Sequence, residues 1–160
     1  MKTLSIRQPW ASLICTNLKT IENRSWETEF RGEVAIHAGS FRKGVDHYAG
    51  TDNSGLFRPE DFTFGAIIGT AELYDCICFD VSVRDDPWAE GPFCFRFRSG
   101  VLFKEPIPCS GRVRLTQLEN DLVEKVNERK TELVELEEDG RLLKSLQQIP
   151  AEPIPKNLVR

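Results

Sequence analysis

Lys19, Glu22, Arg24 and Trp26 stand close together in Leu18-Lys19-Thr20-Ile21-Glu22-Asn23-Arg24-Ser25-Trp26. Residues 20–26 read as a strand, and alternation then puts Glu22, Arg24 and Trp26 on one face. An ammonium and a guanidinium flanking a carboxylate can hold a phosphate or carbonyl oxygen. The carboxylate can accept from an exocyclic amine or from water. The same three charges also read as an ion pair bracing the turn before the strand. Trp26 can stack on a base, a contact worth about 1–3 kcal/mol in single-strand binders, or pack at a sheet edge.

Other residues invite the same double reading. Arg42 and Lys43 suit backbone phosphates, and equally a solvated surface. Arg7 belongs to the same basic segment: residues 7–43 carry six basic residues against four acidic ones. Trp88 follows a proline in a charged loop, where it either stacks on a ligand or packs beneath the loop. Trp10 lies on an apolar helical stripe and is expected in the core. Glu72 is a second carboxylate candidate or a cross-strand partner of Arg96. No Ser/His/Asp order, phosphate loop or metal-spaced histidine pair occurs. No cofactor and no metal are expected.

These groups sit in a chain of 160 residues, of which 40% are hydrophobic and 29% charged, enough for one packed domain and too apolar for global disorder. No stretch reaches the roughly 18 apolar residues that cross a bilayer, and the N-terminal residues do not read as a signal peptide. Five cysteines at irregular spacing read as reduced core residues of a cytoplasmic protein. The net charge is −4, with 14 basic and 15 acidic residues in 1–115 and 7 and 10 in 116–160. That excludes a broad nucleic-acid stripe and leaves room for a local basic cleft.

The elements that must position the candidates follow from periodicity. Leu4 and Ile6 mark a strand over 2–6. Pro9 opens a helix whose stripe is Trp10, Leu13, Ile14 and Leu18. Val34, Ile36 and Ala38 mark a third strand, and residues 40–50 read as a short helix. Ala66–Phe79 gives the longest strand signal, with Ile67, Ala71, Leu73 and Ile77 expected on one face and Ile68 and Cys76 on the other. Phe93, Phe95 and Phe97 alternate with Cys94, Arg96 and Arg98. Residues 101–115 read as two more short strands. From Thr116 the apolar spacing turns helical, with a break expected at Asp139-Gly140. About seven short strands with a helix after the first indicate a small closed or nearly closed β-barrel.

Several blocks together resemble the ASCH domain family. They are Leu4-Ser5-Ile6-Arg7-Gln8-Pro9-Trp10-Ala11-Ser12-Leu13-Ile14, Leu18–Trp26, Arg31-Gly32 and Ile36-His37-Ala38. Gly69-x-Ala71-x-Leu73, Trp88–Phe95 and Phe103-Lys104-Glu105-Pro106-Ile107-Pro108-x-x-Gly111 are similar to it as well. The resemblance covers about residues 2–115 and implies an α+β fold: a PUA-like small β-barrel with an inserted N-terminal helix, here followed by a C-terminal amphipathic helix. The expected organisation is an ASCH domain at 1–115, a helical extension at 116–149 and a Pro-rich tail at 150–160.

The resemblance also implies a cleft floored by the Lys-x-x-Glu-x-Arg segment and suited to RNA or a modified nucleotide, with His37 placed at that cleft. One bacterial branch of the family hydrolyses acetylcytidine with a lysine matching Lys19 and a threonine at the position of Glu22. Another member is a ribonuclease. The expected ligand residues are thus Lys19, Glu22, Arg24, Trp26, Arg7, His37, Arg42, Lys43 and Trp88, with RNA or a nucleotide as partner. The alternatives are an RNA-directed hydrolase using Lys19 and Glu22, and an interaction module that docks a protein or self-associates through 116–149.

Overall fold

A computed structural model describes residues 1–42 and 62–138, with side chains up to residue 132. The elements in chain order are β1 (Lys2–Ile6), α1 (Trp10–Cys15), β2 (Ile21–Arg24), β3 (Gly32–Ala38), β4 (Ala66–Cys78), β5 (Phe93–Pro108), β6 (Thr116–Gln117) and α2 (Asn120–Glu138). The strands form one sheet in the order β2-β5-β4-β3-β1-β6. β1 and β3 run parallel, with Ile6 opposite Ala38, and every other pairing is antiparallel. The sheet curls into a half-barrel, giving the α+β, PUA-like fold that the motifs imply.

Each face of the sheet carries a helix because strand alternation leaves apolar side chains on both. Leu4, Ile6, Val34, Ile36, Leu73, Phe95 and Phe97 pack with Ala11, Ile14 and Cys15 of α1 inside the curl. Trp10 is half-buried against this core. Ala35, Ile67, Phe103 and Ile107 point to the opposite face, where Leu118 and Val126 cover them. Lys130 ion-pairs with Glu33, and Arg129 lies 3.1 Å from Glu105, fastening α2 to the sheet. A Cβ at Gly100 would lie 2.2 Å from the Ile14 carbonyl oxygen, so glycine lets α1 approach β5. Asn17, in left-handed backbone just past α1, exchanges two hydrogen bonds with the Gly100 backbone at 2.7 and 2.9 Å.

The structure revises several details of the sequence reading. Residues 101–115 are not two short strands: β5 continues unbroken to Pro108, and β6 is two residues long. Beyond its pairing with β2, β5 has β4 on one side only, and an edge tolerates Pro106 and Pro108 because no ladder donor is needed there. Three register shifts interrupt the pairing of β4 with β5. They break strict alternation, so Ile68, Ala71, Leu73 and Cys76 share the inner core while Ile67 faces the other way. The same shifts give Glu72 a different partner from the expected Arg96: Arg98 binds it in a bidentate pair at 2.7 and 2.8 Å. The expected helix at 40–50 (from residue 43 on), the Asp139-Gly140 break and the tail lie outside the described residues.

Candidate nucleotide site at the end of β1

The chain leaves α1 through a tight turn in which both the Leu18 and Lys19 amides donate to the Leu13 carbonyl. This turn aims the Lys19 side chain inward, where it is almost wholly buried. Its ammonium donates to the Ile21 carbonyl and lies 3.4 Å from Glu22 Oε2. It also sits 5.3 Å from the centroid of the Trp88 ring, a cation–π distance. Burial pushes the Lys19 pKa down; the charge of Glu22 and its hydrogen bond oppose this, with smaller help from Asp86 and Glu90.

Glu22 joins the lysine to the arginine. Its Oε1 is 3.3 Å from Arg24 Nη2, and that nitrogen also donates to the Ser5 carbonyl at 2.7 Å. The buried donor Arg24 Nε has no hydrogen-bond partner among the described residues, and the buried Glu22 Oε2 has only its ion pair with the Lys19 ammonium. A carboxylate can accept from, and a guanidinium donate to, the polar groups of a ligand.

The remaining candidates lie around this triad in different ways. Trp26 packs edge-on to Phe95, with ring centroids 4.9 Å apart, and keeps part of its surface open. Trp88 is only 7% exposed and packs with Leu13, Ile21, Val83 and Cys94. His37 is buried, its Nε2 sharing a hydrogen bond with the Cys109 carbonyl at 3.1 Å, while its buried Nδ1 has no partner among the described residues. Arg7 is exposed, with its guanidinium 5.1 Å from the Phe41 ring, and Arg42 lies 4.6 Å from the Phe64 ring. Lys43 is outside the described residues.

Sequence reasoning missed three contributors. Ser5 receives Arg24 on its carbonyl and the Arg112 amide on its hydroxyl. Arg114 lies over Trp26 at 5.6 Å. Asn23, on the other face of β2, donates to the Trp88 carbonyl at 2.8 Å and accepts from the Glu90 and Gly91 amides at 2.9 and 3.0 Å. It therefore fixes the loop that carries Trp88 over Lys19. The alternation on 20–26 pointed only to the even positions; a polar Asn on the odd face, between Ile21 and Ser25, was the available signal.

Register gathers the basic groups. β1 and β3 end together, and β6 runs back beside β1 with Thr116 opposite Thr3. Arg7, Arg24, Arg42, Arg112 and Arg114 consequently collect at the C-terminal end of the parallel pair. Among the described residues no group of three or more His, Cys, Asp or Glu side chains could hold a metal ion. No described helix is long and apolar enough to cross a membrane.

The curled six-stranded α+β half-barrel with its two helices matches the PUA-like fold. The ASCH domain family model matches residues 4–88, and the chain belongs to that family. It is 26% identical over 134 residues to human (Homo sapiens) activating signal cointegrator 1, covering 74% of this chain and 22% of that protein. The mouse (Mus musculus) protein of the same name is 33% identical over 81 residues, or 46% of this chain and 14% of its own length. The chain thus spans about a fifth or less of these relatives. Crystal structures of two point mutants of the Zymomonas mobilis ASCH protein share the fold. The TM-scores are 0.52 and 0.50 at 16% and 15% identity, over 79% of this chain and 96% and 94% of theirs.

Proposed function

We propose that this protein binds RNA or a modified nucleotide in a cleft lined by Lys19, Glu22 and Arg24. The observation that carries the reading is the cluster itself: Arg24 Nε is a buried donor with no hydrogen-bond partner among the described residues, and Glu22 Oε2 has only the Lys19 ammonium, 3.4 Å away. A nucleobase edge offers a matching donor and acceptor side by side, and the neighbouring arginines suit its phosphate. Membership of the ASCH family agrees with nucleic-acid binding. The five unpaired cysteines agree with a reducing, cytoplasmic setting.

A second reading draws on the buried Lys19 ammonium, whose pKa is pushed down beside a carboxylate, the kind of perturbation that marks catalytic groups. In an RNA-directed hydrolase, whether ribonuclease or acetylcytidine-type amidohydrolase, Glu22 would activate water and Lys19 would hold the developing oxyanion. One screen separates the two. Nucleosides, nucleotides and short RNAs are offered to the wild type and to Arg24→Ala, and each mixture is assayed for both binding and product. The binder reading expects saturable, salt-sensitive binding, intact ligand and weaker binding by the variant. Product formed with turnover, and lost in Glu22→Gln, would replace it with the hydrolase. Neither binding nor product from any member of the screen would refute both.

A further inference from the structure

The turn between β5 and β6 presents side chains that the fold does not use for packing. Val113 is 87% exposed. Arg114 has a φ of 61°, a left-handed backbone disfavoured for residues with a Cβ. Yet the turn is firmly seated. The Arg112 amide donates to Ser5 Oγ at 3.0 Å, and His37 meets the Cys109 carbonyl. Gly111 lies so close to His37 that a Cβ there would come within 2.8 Å of Cε1.

The described arginines divide into two groups. Arg24 pairs with Glu22, Arg31 and Arg96 with Asp75, Arg84 with Asp85, Arg98 with Glu72, Arg112 with Glu119, and Arg129 with Glu105. Arg7, Arg42 and Arg114 have no carboxylate within ion-pair distance among the described residues. Each instead lies over an aromatic ring: Phe41, Phe64 and Trp26 respectively. All three stand at the C-terminal end of β1 and β3, in a protein whose net charge is −4. Phe41 is itself half-exposed.

Building on the nucleotide reading of the triad, we infer that the 110–114 turn forms the far wall of a path for single-stranded RNA. Arg7, Arg42 and Arg114 hold backbone phosphates, and Phe41 and Trp26 offer ring faces to unpaired bases. Val113 supplies an apolar contact for a base or ribose. A duplex presents phosphates but keeps its base faces stacked, so half-buried rings at the end of a sheet select the single strand.

The test uses the full chain and a fluorescein-labelled, mixed-sequence RNA of about twelve nucleotides, single-stranded or annealed to its complement. Arg114→Gly removes the guanidinium while placing at φ 61° the residue that best tolerates it, so the fold is retained. The wild type should bind the single strand about tenfold or more tightly than the duplex, and Arg114→Gly should weaken single-strand binding about five- to tenfold. Arg114→Lys should recover part of that loss, and adding Arg7→Gln and Arg42→Gln should weaken binding further. Equal binding by wild type and Arg114→Gly, with Arg24→Ala still impaired, would overturn the path and leave the triad reading standing. Equal affinity for duplex and single strand would also overturn it. Absence of RNA binding by the wild type would overturn the path, and the triad reading falls with it only if nucleosides and nucleotides also fail to bind.

Discussion

The Lys19 ammonium and the Glu22 carboxylate lie 3.4 Å apart, with the lysine side chain 1% and the glutamate side chain 11% exposed. At that depth the pair is part of the interior, and its cost of desolvation is met only while both charges and their hydrogen bonds are in place. Glu22 is also the sole acidic neighbour of Arg24 among the described ion pairs, at 3.3 Å. One carboxylate therefore holds two cations at the end of β1.

Removing that carboxylate should be costlier than removing the pair. Glu22→Ala strands a buried ammonium and is expected to destabilise the fold by about 3–5 kcal/mol. Lys19→Met combined with Glu22→Ala should recover part of that loss. Urea midpoints of the single and double variants check it. A double variant as unstable as the sum of the two singles would contradict the coupling.

His37 gives the stability a defined pH dependence. Burial lowers its pKa below the ordinary value, and the Cys109 carbonyl opposes this more weakly. The unfolded chain therefore takes up the proton first as pH falls. The stability tied to neutral His37 is present above the unfolded pKa of about 6.5 and is lost as pH drops below it. Between about pH 7.5 and pH 5.5, the urea midpoint of the wild type should fall more than that of His37→Gln. Parallel curves for the two proteins would refute the assignment.

Asn23 should matter for stability beyond its size, because its amide satisfies three backbone groups of the 88–91 segment. At roughly 1 kcal/mol per hydrogen bond, Asn23→Ala should cost about 2–3 kcal/mol. Tryptophan fluorescence should report greater exposure of Trp88, now 7% exposed above Lys19. An unchanged emission maximum and midpoint would show that the loop is held by other contacts.

Much of this was legible in the chain because it is local. Lys19, Glu22 and Arg24 meet because two of them lie on one short strand and the third just before it, and Leu4/Ile6 and Val34/Ile36/Ala38 mark their strands by simple alternation. What escaped depends on distant pairing. Ser5 reaches the Arg112 amide across 107 residues, through the β1–β6 pairing that a two-residue strand supplies. Arg114 meets Trp26 by the same route. The bulges of β4, which move Glu72 to Arg98 and turn Ile68 inward, leave no periodic trace, since each simply breaks the alternation that sequence reading relies on.

Few phosphates should be engaged, because the protein is acidic and, among the described residues, the arginines without a carboxylate partner are Arg7, Arg42 and Arg114. Two to four contacts at about −0.7 each predict a slope of log affinity against log salt of about −1.4 to −2.8 on single strands. A slope of about −5 or steeper would reveal a much larger basic surface.

A ligand site at the triad stands or falls with Arg24, and an Arg24→Ala titration tests it. Arg24 is more open than Lys19, so its loss should leave the sheet folded while removing the link from Glu22 to Ser5. Binding of a nucleotide or short single-stranded RNA should weaken by about 1–3 kcal/mol, with an unchanged circular dichroism spectrum. Superimposable titration curves for the variant and the wild type would contradict a ligand site at Lys19, Glu22 and Arg24.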